Sequence, residues 1–359
     1  MIIASTLQKS FGPQTLFDDV SFLINKGERI GLVGKNGTGK STLFKMIMGE
    51  EKQDSGTLST PKGYKIGALD QHIHFTQPTV IDECIEALPT EKQWDHYKAE
   101  IILSGLGFSE QDFQKDPTTF SGGFQVRINL CKALLADPNM LLLDEPTNYL
   151  DILSLRWLKD YLNKWPGEMM LITHDRDFMD QVTTHTLGLH RRQARKVSGG
   201  TIKFYELIIQ EEETYEQTRK NLENKRKEMQ SLVDRFRAKA SKATMAQSRL
   251  KMMEKMGTME KLDTEKNLGF RFNHLPCPGK IIMTIKNLSF SYDGKPKNNI
   301  FSDLSFSIGR KDRIAIIGAN GKGKSTLLNC MAEELTPTSG SITKHPSGCL
   351  GHFGQTNID

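Results

Sequence analysis

The chain has 359 residues, 37% hydrophobic and 25% charged, with a formal net charge of +5; that is room for two or three domains with their own cores and the composition of a soluble globular protein. No apolar run approaches the ~20 residues of a membrane helix, and the N-terminal "MIIASTLQKSFG" lacks a secretory pattern. Cys84, Cys131, Cys277, Cys330 and Cys349 stand at no metal-ligand spacing and read as reduced thiols, so a cytoplasmic location is expected.

The first predicted elements are short alternating apolar stretches separated by turn residues, which read as strands. Phe11, 23 residues before a glycine-rich loop, is a candidate either to stack on a base or to pack in a core. Residues 29–33 read as a buried strand, and "GKNGTGKST" follows at 34–42. Gly34-x4-Gly39-Lys40-Ser41 between a strand and a helix is the context in which this spacing means phosphate binding. Glycines let backbone N–H groups wrap a polyphosphate, and the helix N-terminus adds positive potential. Lys40 can reach the terminal phosphates and the Ser41 hydroxyl can ligate Mg2+. The binding candidates here are Gly34, Asn36, Gly37, Gly39, Lys40, Ser41 and Thr42.

Further on, Gln71 is a candidate to sense Mg2+ and the attacking water. "FSGGFQ" sets Ser121, Gly122 and Gly123 ahead of a helical run, a serine-capped helix N-terminus suited to phosphate. "NMLLLDE" and "EMMLITHD" are short continuous apolar runs, as in strands covered on both faces, and residues 152–164 between them have helical spacing. Asp144 and Glu145 end the first run: the former would hold Mg2+ through water, the latter would polarise the attacking water. His174 ends the second, as either a structural histidine or a contact to the terminal phosphate and the water.

From about 206 to 261 there is no proline and one glycine, Gly257. Ile208, Tyr215, Leu222, Met229 and Phe236 recur every seven residues, as do Met245, Met252 and Met259. This pattern predicts two helices in a short antiparallel coiled coil that turns near 238–243. Between 235 and 255 stand seven basic residues (Arg235, Arg237, Lys239, Lys242, Arg249, Lys251, Lys255) against one acid, Glu254. A one-sided basic hairpin suits RNA phosphates.

The last part repeats the first. Residues 300–327 match residues 16–43 at an offset of 284, and Gln355 stands opposite Gln71. Held over that distance, the offset means a duplicated domain. Residues 313–317 predict a second buried strand, and Gly318, Gly321, Gly323, Lys324, Ser325 and Thr326 a second phosphate loop with Ser325 on Mg2+. Tyr292, 26 residues before Gly318, parallels Phe11 in role.

"GKNGTGKST", Gln71, "FSGGFQ", "LLLDEPTNYLD" and "ITHD", in this order, resemble an ATP-binding cassette. Two cassettes in one chain joined by a charged helical linker are similar to the ABC-F family. The resemblance implies an α/β P-loop cassette at 1–205, a basic helical hairpin at 206–268, and the N-terminal part of a second cassette at 269–359. It implies ATP and Mg2+ as ligands, ATPase activity, the ribosome as partner, and contacts from the linker to rRNA or tRNA. In this family ATP sits between the phosphate loop of one cassette and the Ser-Gly-Gly helix of the other. By that pattern Lys324, Ser325 and Gln355 would face Ser121, Gly122 and Gly123, and neither site would be complete within the chain. A second cassette short of its core strands is expected to be marginal, and self-association of the chain is an open expectation. Phe124 stands where transporters usually have Gln, and Tyr149 where the family commonly has His. Only 49 residues lie between Gln71 and Ser121, little room for the helical arm of many members. The competing readings are a transporter ATPase subunit and a non-catalytic RNA-binding remnant.

Overall fold

The computed structural model describes residues 1–69, 74–92, 94–237, 248, 251–252, 269 and 277–354. They divide into two compact units: Met1–Ile66, Asn139–Glu145 and Pro166–Phe270 in the first, Gly67–Pro138, Pro146–Trp165 and Arg271–Asp359 in the second.

In the first unit, β1 (Ile2–Phe11), β2 (Gln14–Ile24) and β4 (Ser55–Ser59) form an antiparallel sheet in the order β2-β1-β4. Val20, Phe22 and Ile24 of β2 are buried and the residues between them exposed, the period of two of a half-covered sheet. The second sheet has the order β5-β6-β7-β3-β8-β9, from β3 (Arg29–Gly34), β5 (Ile66–Ala68), β6 (Met140–Asp144), β7 (Glu168–Ile172), β8 (His185–His190) and β9 (Gln193–Ser198). β6, β7, β3 and β8 are parallel. β7 is buried along its whole length, which explains the unbroken apolar run Met169–Ile172 that follows Glu168. The register puts Asp144 opposite Ile172 and Gly34 opposite Leu189. The carboxyl ends of these strands, where open α/β sheets bind ligands, therefore carry the predicted chemistry.

α1 (Lys40–Met48) leaves the loop after β3 and buries Leu43, Phe44, Met46 and Ile47. α6 (Arg176–Val182) and α7 (Thr201–Arg237) complete this unit. On α7 the buried and half-buried residues Ile208, Glu212, Tyr215, Arg219, Leu222, Arg226, Met229 and Val233 alternate steps of four and three. That is a heptad seam, as expected, with charged side chains at three of its positions. The predicted turn at 238–243 lies outside the described residues.

In the second unit, α2 (Val80–Ile85), α3 (His96–Gly105), α4 (Gly122–Leu135) and α5 (Ile152–Lys164) pack together. Copy two contributes β10 (Ile281–Phe290), β11 (Phe301–Gly309) and β12 (Ser339–Lys344) in the order β11-β10-β12, and α8 (Lys324–Met331). Met283, Ile285, Leu288, Phe290, Leu327 and Cys330 make its core.

Residues 313–317, expected as a buried strand, are not one: they pair with no strand and are exposed, with Ile314 at 54% and Ile317 at 71%. The physical reason lies in copy one. There β3 is buried because β7 and β8, which come more than a hundred residues later, flank it. No described strand of copy two does this for 313–317.

Candidate functional site

In the first unit the phosphate loop is shaped by left-handed glycines. Gly39, the N-cap of α1, has φ +95, and a Cβ there would lie 2.8 Å from the Phe17 ring. Lys40 Nζ donates to the carbonyls of Gly34 (2.8 Å) and Lys35 (3.0 Å). Burial lowers the pKa of this ammonium, and Asp144 and Glu145 oppose the shift. The Ser41 hydroxyl donates to Asp144 Oδ2 at 3.0 Å. Thr42 is half-buried, and Asn36 and Gly37 are exposed on the loop.

Glu145 takes φ +50 just past β6, and its N–H donates to Ile172 O at 2.9 Å. That turn aims the carboxylate across the strand ends. His174 N–H donates to Glu145 Oε2 (3.3 Å), and His174 Nε2 lies 3.5 Å from Oε1. Lys40, Ser41, Asp144, Glu145 and His174 thus meet at one edge of the sheet, beside a cavity of about 1300 Å³. Its wall on β2 is Gln14, Thr15 and Leu16; Phe11 stands apart, 48% exposed, with Lys9 Nζ 4.8 Å over its ring.

In the second unit Ser121 is the N-cap of α4 by position, but its side chain caps no helix N–H, contrary to expectation. The first turn closes onto its carbonyl instead, from Phe124 N (2.9 Å) and Gln125 N (3.0 Å). Gly122 has open space around its Cα, while a Cβ on Gly123 would come within 3.2 Å of Tyr149. Phe124 packs edge-on against Phe108 at 5.2 Å, so it serves an aromatic cluster.

The second phosphate loop reproduces the first. Gly321 and Gly323 take φ +76 and +81, and Lys324 Nζ donates to Gly318 O (2.8 Å) and Ala319 O (2.9 Å). Ser325 is exposed, and Thr326 Oγ1 lies 3.2 Å from the Tyr292 hydroxyl, on a ring 72% exposed. The loop is also anchored within its unit. Asn320 Nδ2 donates to Tyr149 O at 2.8 Å, and Asn320 N to Asp151 Oδ2 at 3.2 Å.

Two residues escaped motif reading. Arg127 is 1% exposed and donates to Tyr149 O (2.7 Å) and Leu106 O (2.5 Å). It therefore holds the carbonyl that Asn320 also uses. Glu83 is fully buried, paired with Lys132, and accepts from Thr76 N (2.8 Å) and Gln77 N (2.9 Å). Burial would raise its pKa, but Lys132 and the two amides lower it. Nothing in "VIDECI" separates this acid from Asp82 beside it.

Gln71, Gln355, Lys239, Lys242 and Arg249 lie outside the described residues. Arg235 and Arg237 stand in the last turn of α7, and Lys251 is helical and exposed.

Among the described residues no three His, Cys, Asp or Glu side chains form a metal-binding group. The Ser41–Asp144 pair fits Mg2+ all the same: hard oxygen donors, few in number, leaving positions for water and substrate phosphate. No helix of the described residues is long and apolar enough to cross a membrane.

The ABC transporter family model matches residues 17–148 and again 301–353. A second model of the same description, for the extension that accompanies the cassette, matches 187–272. The chain is 31% identical to "Probable ATP-binding protein YheS" of Escherichia coli (strain K12), over 100% of this chain and 61% of that protein. It is 30% identical to "ATP-binding cassette sub-family F member 3" of Mus musculus, over 98% of this chain and 54% of that one. It thus spans about three fifths of the length of curated relatives it matches. Among solved structures, an ATP binding subunit of an ABC transporter aligns with 55% of this chain and 90% of its own. Its TM-score is 0.50 at 22% identity, a likeness of fold. Two cassette matches with the extension between them, and relatives of the F sub-family along nearly the whole chain, make this an ABC-F protein of the ATP-binding cassette family.

Proposed function

We propose that this chain binds ATP with Mg2+, turning it over feebly by itself, and belongs to an ATP-hydrolysing translation factor acting on the ribosome, its basic linker on rRNA or tRNA. One observation supports the nucleotide chemistry most: the Ser41 hydroxyl, Asp144, Glu145 and His174 come together beside the Lys40 loop from three separate stretches of the chain. The loop amides and the ammonium of Lys40, once it leaves the Gly34 and Lys35 carbonyls, bind the phosphates. Ser41 and Asp144 would hold Mg2+, which neutralises charge on the β and γ oxygens. Glu145 orients the attacking water by accepting its proton in a hydrogen bond, and His174 holds that carboxylate from the far side and faces the terminal phosphate. Gln71 is assigned to the same water and metal. Phe11 and Tyr292 are assigned to the bases, and Gly318, Gly321, Gly323, Lys324, Ser325, Thr326 and Gln355 to a second nucleotide opposite Ser121, Gly122 and Gly123.

The ribosome assignment is supported by the F sub-family relatives and by the charge run from Arg235 to Lys255. Nucleotide occupancy would select a closed state that seats the linker on RNA, and hydrolysis would release it. The parts proposed to do this are the cassette 1–205, the linker 206–268 and the segment 269–359. The test is co-sedimentation of the Glu145→Gln chain with ribosomes. ATP-dependent pelleting is expected, and charge reversal at Arg237, Lys239 and Lys242 should abolish it. Pelleting that ignores both ATP and the reversal would sink the ribosome reading.

A further inference from the structure

We propose that the turn joining β8 to β9 is a further nucleotide-contacting element, and that Glu212 of the linker helix α7 competes with bound polyphosphate for Arg191. The inference rests on the nucleotide reading above. It starts from register: Leu189 of β8 pairs with Gly34 of β3, and a Cβ on Gly34 would lie 3.0 Å from Leu189 O. The residues that leave β8 therefore emerge beside the phosphate loop. His190, Arg191 and Arg192 line the same cavity as Gly34, Asn36 and Lys40. The turn is a fixed one. Arg191 and Arg192 both take positive φ (+51 and +66), as in tight hairpin turns, and Arg192 O accepts from Asp18 N at 2.9 Å.

The opposite wall of the cavity is α7, through Glu212, Glu213 and Glu216. Arg191 reaches Glu212 Oε1 with Nη2 (2.8 Å) and Nε (3.1 Å), and His190 Nε2 lies 3.0 Å from the same oxygen. Burial would raise the Glu212 pKa, yet Arg191 and His190 hold it down. Among the described residues nothing engages the Arg192 guanidinium. A guanidinium is the natural partner of phosphate, and a polyphosphate offers it more charge than one carboxylate does. Nucleotide at the loop would draw Arg191 from Glu212, with Arg192 as a second donor, and loosen the clasp on the helix that leads to the basic stretch. By linkage the effect runs both ways: whatever seats α7 elsewhere tightens nucleotide binding.

The experiment titrates a fluorescent ATP analogue with Mg2+ into the full chain and its variants. Glu212→Gln should tighten binding about fivefold or more, and Arg191→Ala should weaken it. Glu212→Gln placed on Arg191→Ala should add nothing, because the competing contact is already gone. Glu213→Gln, which removes a charge from the same cavity but touches neither arginine, should change affinity far less. Hydrogen exchange in residues 208–216 should quicken when ATP is added. Equal effects of Glu212→Gln and Glu213→Gln would reduce the matter to a general field and overturn the proposal, as would additivity in the double variant. ATP binding that is intact but indifferent to Glu212 sinks this inference alone. A wild-type chain that binds no ATP sinks both it and the nucleotide reading.

Discussion

The two phosphate loops share their lysine contacts and their glycine turns, yet the sheets beneath them differ. Lys40 and Lys324 donate to equivalent carbonyls, and Gly39 and Gly323 take the same left-handed turn. The likeness extends to the antiparallel sheets. Thr6 and Asn287 both take positive φ (+49 and +50), and each donates its N–H at 2.8 Å to a serine of the next strand, Ser21 and Ser305. Facing them, Gly56 and Gly340 leave no room for a Cβ. By contrast β3 is the middle of a parallel sheet, whereas its counterpart 313–317 pairs with nothing described. Loops, bulges and hairpins are settled by nearby residues; a parallel strand is settled by partners far along the chain.

The largest expected effect breaks this comparison directly. Ile30, fully buried in β3, corresponds to Ile314, 54% exposed. Ile30→Ala should cost about 2–5 kcal/mol in urea unfolding, and Ile314→Ala within about 0.5. Equal losses would mean that 313–317 is as enclosed as β3.

Next comes the ion pair that ties the start of β3 to β9. Burial would raise the Glu28 pKa, but Lys196 and Asn25 outweigh it and hold the carboxyl at about 2. The folded value is depressed, so the stabilisation is complete above the ordinary carboxylate range, ~4.3, and is lost as pH falls through about 2. The urea midpoint should decline across that window, and Glu28→Gln should flatten the decline. No difference between the two acid limbs would place Glu28 outside the stability balance.

The smallest effect concerns the loops themselves. Asn320 is bonded to Tyr149 and Asp151, while its counterpart Asn36 is exposed on its loop. Without nucleotide, Asn320→Ala should lower stability by about 0.5–1.5 kcal/mol, and Asn36→Ala should be near neutral. The reverse order would show that the Asn320 contacts carry no weight.

Much of this was legible in the chain itself. The helix at 152–164, the strand ends bearing Asp144 and His174, and both phosphate loops follow from apolar runs and local spacing. The exposure of 313–317 is not legible, because a repeated sequence does not carry with it the neighbouring strands on which burial depends. Arg127 stays hidden because the groups it holds are mainly backbone carbonyls, and Glu83 because two backbone amides and Lys132, 49 residues away, leave no shared motif with it. The clasp of Glu212 stayed hidden for another reason: its partners come from a hairpin more than twenty residues earlier, with no motif to join them.

The most direct test of the central claim is a calorimetric titration of the full chain with Mg2+ and ATP, beside Lys40→Ala. Saturable binding that weakens about tenfold or more in the variant, the loss of a charge-assisted contact, is the predicted result. No saturable binding, or equal affinity in both proteins, would contradict it.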